Sequence, residues 1–293
     1  MVVKRKVVLV GLTVFLLGLS FCLAQTPDVF RVEYMLMPRN NSDVKLERFK
    51  ILANLPVQVS DSKNLVFGAE YNRFVYNLDD DLPFANTAPE NFHVIDFNLA
   101  YVLKFKLHWR FIGVVTPRFS STFTEPLAKD DFFLNATVGF FRERKEIEKP
   151  TRLILGVAYN ATVALRIPLP IIYYEKRFRP DWSFVVGVPK TALKYHIDEK
   201  QQIQAEFFFD GYYVNLQNNI VLADMVSASS ASSSAALVTL GYQYKLAKNT
   251  FLYGYVGHTV FQDAVLRNAD RSAIFTVNDD PSFYFRTGFR IGL

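Results

Sequence analysis

The 293-residue chain contains one cysteine, four histidines and two tryptophans, and beyond residue 24 it has no apolar run long enough for a membrane helix. Each scarcity excludes a class. A lone thiol cannot form an internal disulfide or a thiolate zinc centre, so a Cys-stapled scaffold is ruled out. Thirteen glycines are far too few for a collagen-like repeat, and 15% aromatic residues are too many for a disordered chain. Neither HxxxH nor CxxC spacing occurs, so no metal site and no cofactor is expected.

What is present begins with Lys4, Arg5 and Lys6, followed by VVLVGLTVFLLGLSFCLA and a polar exit at Gln25. Basic head, apolar middle and small-residue end are the three parts of a cleaved secretory signal peptide over residues 1–24. The run is close to the roughly 20 residues that cross a bilayer, but its short head and abrupt exit favour cleavage over a permanent anchor. Phe21 before Cys22 argues against lipidation, which needs a small residue there. Cleavage after Ala24 removes the thiol and three bases. The 30 basic residues that remain face 28 acidic ones, and the formal charge drops from +5 to +2. Nucleic acid is therefore not an expected partner. Residues 25–293 show no internal boundary and are read as one domain.

In that domain apolar and polar residues alternate with period two. From 283 to 293, Phe283, Phe285, Phe289, Ile291 and Leu293 oppose Tyr284, Arg286 and Arg290. Ile95, Phe97, Leu99, Tyr101, Leu103 and Phe105 oppose Asp96, Asn98 and Lys104, and Val238, Leu240, Tyr242, Tyr244 and Leu246 oppose Thr239, Gln243 and Lys245. The pattern recurs less cleanly at 29–37, 49–59, 65–78, 107–119, 132–143, 153–165, 203–216 and 251–261. Soluble strands typically run to about 5–6 residues, whereas a tilted strand needs about 9–11 to cross a bilayer. These longer segments predict membrane-spanning strands.

The links between them mostly alternate between tight (FKLH, AKN) and long (DDDLPFANTAPEN, STFTEPLAKD, DAVLRNADRSAIFTVNDD), as short periplasmic turns and long outer loops require. The Ser-rich 227–234 reads as a flexible outer loop tip. The strand count turns on Pro189. The apolar phase is even over Trp182–Val188 and odd over Thr191–Ile197. A bulge there gives 12 strands and a turn gives 14; proline inside a central strand argues for the turn. The predicted fold is all-β, a closed antiparallel transmembrane β-barrel of about 12 to 14 strands, leaning to 14.

The stretch PIIYYEKRFRPDWSFVVGVPKTALKYHIDEKQQIQAEFFFDG, residues 170–211, resembles the middle of an uncharacterised outer-membrane β-barrel family common in Bacteroidota. The aromatic end FYFRTGFRIGL and, more loosely, the rest of the chain share the resemblance. It implies an outer-membrane barrel of no established activity, and it carries over no catalytic or binding residue.

If the apolar face meets lipid, the opposite face lines the lumen. Candidate lumen-lining residues are Glu33, Asp96, Arg110, Arg118, Glu206, Asp210, Arg286 and Arg290, with Arg31, Lys50, Glu70, Glu143 and Lys245 on the same faces. Mixed charge fits two roles. One is a passive channel or transporter for small polar solutes; the other is a sealed, non-enzymatic structural or surface-interaction barrel held by internal ion pairs. An outer-membrane hydrolase is the outsider. Of the four histidines (His93, His108, His196 and His258), His93, close in sequence to Asp79–Asp81 and Asp96, is its best general base, while His108 and His258 have no legible serine partner. Tyr173, Tyr174, Trp182, Tyr253, Tyr255 and Tyr284 suit an interfacial aromatic girdle. Expected partners are outer-membrane lipid and, during insertion, periplasmic chaperones and the barrel-assembly machinery.

Overall fold

The computed structural model describes residues 28–78, 84, 90–145, 147–160 and 168–292. The proposed leader, Asp79–Asp81 and residues 161–165 of the seventh alternating segment lie outside the described residues.

The described chain is almost entirely strand. In order these are β1 (Asp28–Met37), β2 (Lys45–Ser60), β3 (Lys63–Asn77), β4 (Asn91–Lys106), β5 (Trp109–Ser121), β6 (Phe132–Arg144), β7 (Thr151–Tyr159) and β8 (Leu169–Arg177). There follow β9 (Trp182–Val188), β10 (Lys190–His196), β11 (Gln201–Val221), β12 (Ser227–Ala247), β13 (Thr250–Arg267), β14 (Ala273–Asn278) and β15 (Phe283–Gly292). Neighbours pair antiparallel from β1 to β13, and β15 closes the ring between β13 and β1, with Glu33 opposite Gly288. β14 is a short flap paired only to the outer end of β13. The wall is thus a closed barrel of 14 strands, and the Pro189 phase flip is a turn between β9 and β10.

Tight turns at 61–62, 107–108 and 248–249 share one end with the start of β1 and the finish of β15. Short turns mark that end as periplasmic. Outward positions are apolar and uncovered: Leu55, Phe67, Phe97, Val138, Leu240 and Phe283 are all about half exposed or more. A soluble monomer rarely leaves an apolar patch beyond a few hundred Å², so this continuous coat is a lipid-facing surface.

The wall is not of one height. β9 and β10 have seven residues each, and their tip reaches only the level of Phe208, opposite Lys190. β11 continues for a further 13 residues to Val221. Without β10 beside it, upper β11 crosses to β5: Asn215 pairs with Ser121 in parallel, and Ser120 Oγ donates to the Tyr213 carbonyl at 2.5 Å. The outer part of the barrel therefore closes with nine strands, omitting β6 to β10.

Strand number decides what fits inside. About eight strands enclose a space that side chains can fill, whereas far larger rings leave a channel. The nine-stranded outer part is filled by an apolar cluster that includes Met35, Phe74, Tyr76, Phe92, Val214 and Leu237. Tyr212 on β11 meets Phe74 at 4.3 Å and Phe92 at 6.2 Å between ring centroids. Phe92 comes from β4, seven strands from β11 around the full 14-stranded ring but only two away across the β5–β11 seam, so the plug packs against the seam from inside.

This outer part corrects one expectation. Residues 227–234 form the outer half of β12 rather than a flexible tip, with Ala228, Ser230 and Ala231 buried. In a narrow cylinder already occupied by tyrosine and phenylalanine rings, small residues are what the wall can accommodate. Alternation disappears there because neither face carries large side chains. β11 and β13 also outrun the segments expected for them.

Candidate functional site: the barrel interior

All eight candidate lumen residues point inward, and they fall into separate groups. Arg48, on β2, spans the lumen: Nη1 donates to Asp210 Oδ2 at 2.9 Å and Nη2 to Glu33 Oε1 at 3.3 Å. Glu33 also accepts from the Tyr253 hydroxyl at 2.7 Å. Arg286 Nη2 donates to Glu206 Oε1 at 2.7 Å, and Lys190 pairs with the same carboxylate. The Arg286 guanidinium also lies 4.4 Å from the Tyr255 ring centroid. Cations and anions thus alternate from β2 to β10 and form a girdle across the middle of the barrel.

The other candidates stand apart from it. Arg118 holds Asp96 in two parallel bonds, Nε to Oδ1 at 2.6 Å and Nη2 to Oδ2 at 2.7 Å. Arg290 bridges Asp28 at 3.2 Å and Gln243 at 2.9 Å. Arg110 lies at the periplasmic rim with its guanidinium 5.5 Å from the Phe141 ring centroid. Of the further lumen positions, Lys50 pairs with Glu70, Glu143 with Arg152, and Arg31 with Asp28.

Burial falls along the axis. Inward residues of the outer and middle levels are buried, Asp96 and Glu206 among them, whereas Pro56, Gln58, Lys104 and Arg110 near the periplasmic end are exposed. The interior is a cup, shut at the outside and open to the periplasm. Around its middle every inward carboxylate named above has a cation. Such pairs are costly to break, because a single remaining partner is left charged in a poorly hydrated space.

Sequence reasoning missed Arg48, Lys190, Lys194 and Glu175. Lys194 Nζ donates to Glu175 Oε1 at 2.5 Å, and both lie in the short-strand sector where strand phase was hardest to read. Arg48 shares the parity of Lys50 but precedes the segment read as β2.

The aromatic girdle needs correcting. Tyr174 and Trp182 face outward, but Tyr173, Tyr253, Tyr255 and Tyr284 are buried in the lumen. Tyr173 donates to Glu175 Oε2 at 2.8 Å. Facing glycines make room for the rings. A Cβ at Gly241 would overlap Tyr255, and one at Gly288 would overlap Tyr253.

His93 does not pair with Asp96, and Asp79–Asp81 lie outside the described residues. His93 faces outward, its Nδ1 at 2.8 Å from the Tyr71 hydroxyl and its ring stacked on Phe123, while Asp96 faces inward to Arg118. Strand alternation puts positions three apart on opposite faces. His258 also faces out, in edge contact with Phe283. The serine–histidine contact is elsewhere: Ser183 Oγ lies 2.9 Å from His196 Nε2 at the periplasmic end. That pair arises from the β9–β10 register, in which Tyr195 faces Trp182, so the linear sequence hides it. Among the described residues no carboxylate hydrogen-bonds the other His196 nitrogen, and Ser183 is buried. No group of three metal-ligating side chains gathers among the described residues.

The chain is similar in fold to several solved barrels, at low identity. A KdgM porin in complex with disordered oligogalacturonate is 10% identical, with 90% of this chain and 99% of that chain covered at a TM-score of 0.37. The NanC porin is 9% identical, with 89% and 100% covered and a TM-score of 0.39. LpxR from Salmonella typhimurium is 6% identical, with 90% and 100% covered and a TM-score of 0.40. No curated protein matches the chain. A family profile does match, over residues 39–292, a span that takes in the closing strand and all of the girdle and plug except the residues on β1, Glu33 and Met35 among them. The chain belongs to the family described as a domain of unknown function, DUF6268.

Proposed function

We propose that the protein is an outer-membrane channel or transporter for small polar solutes that rests closed, and that passage requires the plug and the girdle to rearrange. The carrying observation is the narrowing of one wall from 14 strands to nine, which places a filled cylinder above a charged cup open to the periplasm. A polar, charge-lined cup suits solutes that arrive hydrated, and a shut outer end keeps the membrane from leaking.

The apolar plug itself favours a second reading, a permanently sealed structural or surface-interaction barrel. Planar-bilayer conductance and liposome swelling with neutral sugars separate the two. On the first reading wild-type bilayers are nearly silent at low voltage, and a Tyr76→Ala/Tyr212→Ala variant conducts and admits sugar. Steady ohmic conductance by the wild type would overturn the closed state. Impermeability of the emptied variant, shown to be folded, would leave the sealed reading standing.

A further inference from the structure

Among the described residues, one pair of charges in the cup has no counter-charge. Lys104 on β4 and Arg110 on β5 are direct cross-strand partners, both inward and both exposed at the periplasmic end. Like charges directly opposite one another in a sheet repel. Neither has a carboxylate partner among the described residues, although each of the cup's acids already holds a base: Glu70 with Lys50, Asp96 with Arg118, Glu143 with Arg152. Arg110 is braced from behind by the Phe141 ring, whose centroid is also 5.9 Å from the Arg152 guanidinium. A guanidinium beside an ammonium, at the mouth of a chamber open to one side, presents forked and single donors to the same volume. Both side chains point away from the lipid-facing wall, so membrane headgroups are not the natural occupant.

We propose that Lys104 and Arg110 form a binding site for small, soluble oxyanions, carboxylate or phosphate, that enter the cup from the periplasm. The proposal rests on the solute-handling reading above and gives those solutes a sign of charge.

The test is calorimetric titration of the refolded, detergent-solubilised barrel with inorganic phosphate and, separately, with citrate at low salt. Wild type binds both, and binding weakens as salt rises. Lys104→Gln/Arg110→Gln weakens binding by about tenfold, the effect expected for two partly exposed charges. Lys104→Arg/Arg110→Lys retains it. Arg142→Gln, which removes an outward cation resting on Trp109, leaves it unchanged. Heat-modifiable migration on gels shows that each variant is folded. Absence of binding by wild type, or equal loss in Arg142→Gln, overturns the site. Binding that survives while the emptied-plug variant passes no sugar would keep the site and remove the transport reading. Sugar passage without anion binding would do the reverse.

Discussion

Single side chains in this barrel are placed by what faces them. Tyr255 turns inward because Gly241, its cross-strand partner, offers a bare patch of sheet. Gly241→Ala should therefore displace the ring and its contact with Arg286, at a cost of about 1–3 kcal/mol typical of overpacking, read as a lower urea midpoint for unfolding from detergent micelles. The Asp96–Arg118 pair makes a sharper case. Asp96→Ala leaves a buried guanidinium without its bidentate partner and should cost on the order of 3–5 kcal/mol. Asp96→Leu/Arg118→Met should recover most of that in the same measurement; no recovery would show that the pair is not acting as a unit. The inward set was legible in the sequence because the period is two: Glu33, Asp96, Arg118 and Arg286 follow from parity alone. The pairings that cross the lumen were not legible, because Arg48 finds Asp210 through ring closure, which leaves no local trace.

The strand that shapes the molecule is β11, and one short segment holds it in place. At the 3-10 turn Lys129–Asp131, the buried Asp131 accepts from Ser121 Oγ at 2.5 Å, the Ala128 amide at 2.8 Å, Asn215 Nδ2 at 2.8 Å and Gln217 Nε2 at 2.8 Å. Both oxygens are saturated, and the bonds tie the β5–β6 loop to upper β11. Burial pushes this carboxyl's pKa up, but the four hydrogen bonds outweigh it and hold the pKa below its ordinary value of 3.8. A depressed acid stabilises at pH above its ordinary value and loses that contribution as pH falls through the folded value. The seam should thus loosen only in acid below about pH 3.8, seen as conductance bursts in bilayers that are silent at neutral pH. Asp131→Ala strands three side-chain donors, should cost about 1–3 kcal/mol and should produce the bursts at neutral pH. If it stays silent and loses no stability, the latch has no such role. None of this was readable beforehand. Strand alternation announces segments inside the bilayer, whereas upper β11 and Ser227–Ala236 of β12 stand in a side-chain-filled cylinder where both faces carry small or buried residues.

The barrel as a whole inverts the usual arrangement, with apolar residues outside and charge within. Leu240, on the outer face near the level of the girdle, tests this directly. Leu240→Arg should lower stability in phospholipid vesicles by about 2–4 kcal/mol, whereas in a soluble protein an exposed arginine would be nearly neutral. Class, orientation and the even strand number were all implied by segment length, turn length and the Pro189 phase flip; the change from 14 strands to nine was not, because it depends on a contact between Ser120 and Tyr213, 93 residues apart. That separation bears on how the molecule is made. Every hairpin from β1 to β13 joins sequence neighbours, so each closes a loop far shorter than the 93 residues that separate the partners of the β5–β11 seam, which cannot close until the five short-sector strands are in place. The outer mouth is then among the last features to set, and a newly inserted chain passes through a wide-mouthed stage before it becomes watertight. A transient leak during assembly, vanishing with time, is the kinetic signature this order of events would leave.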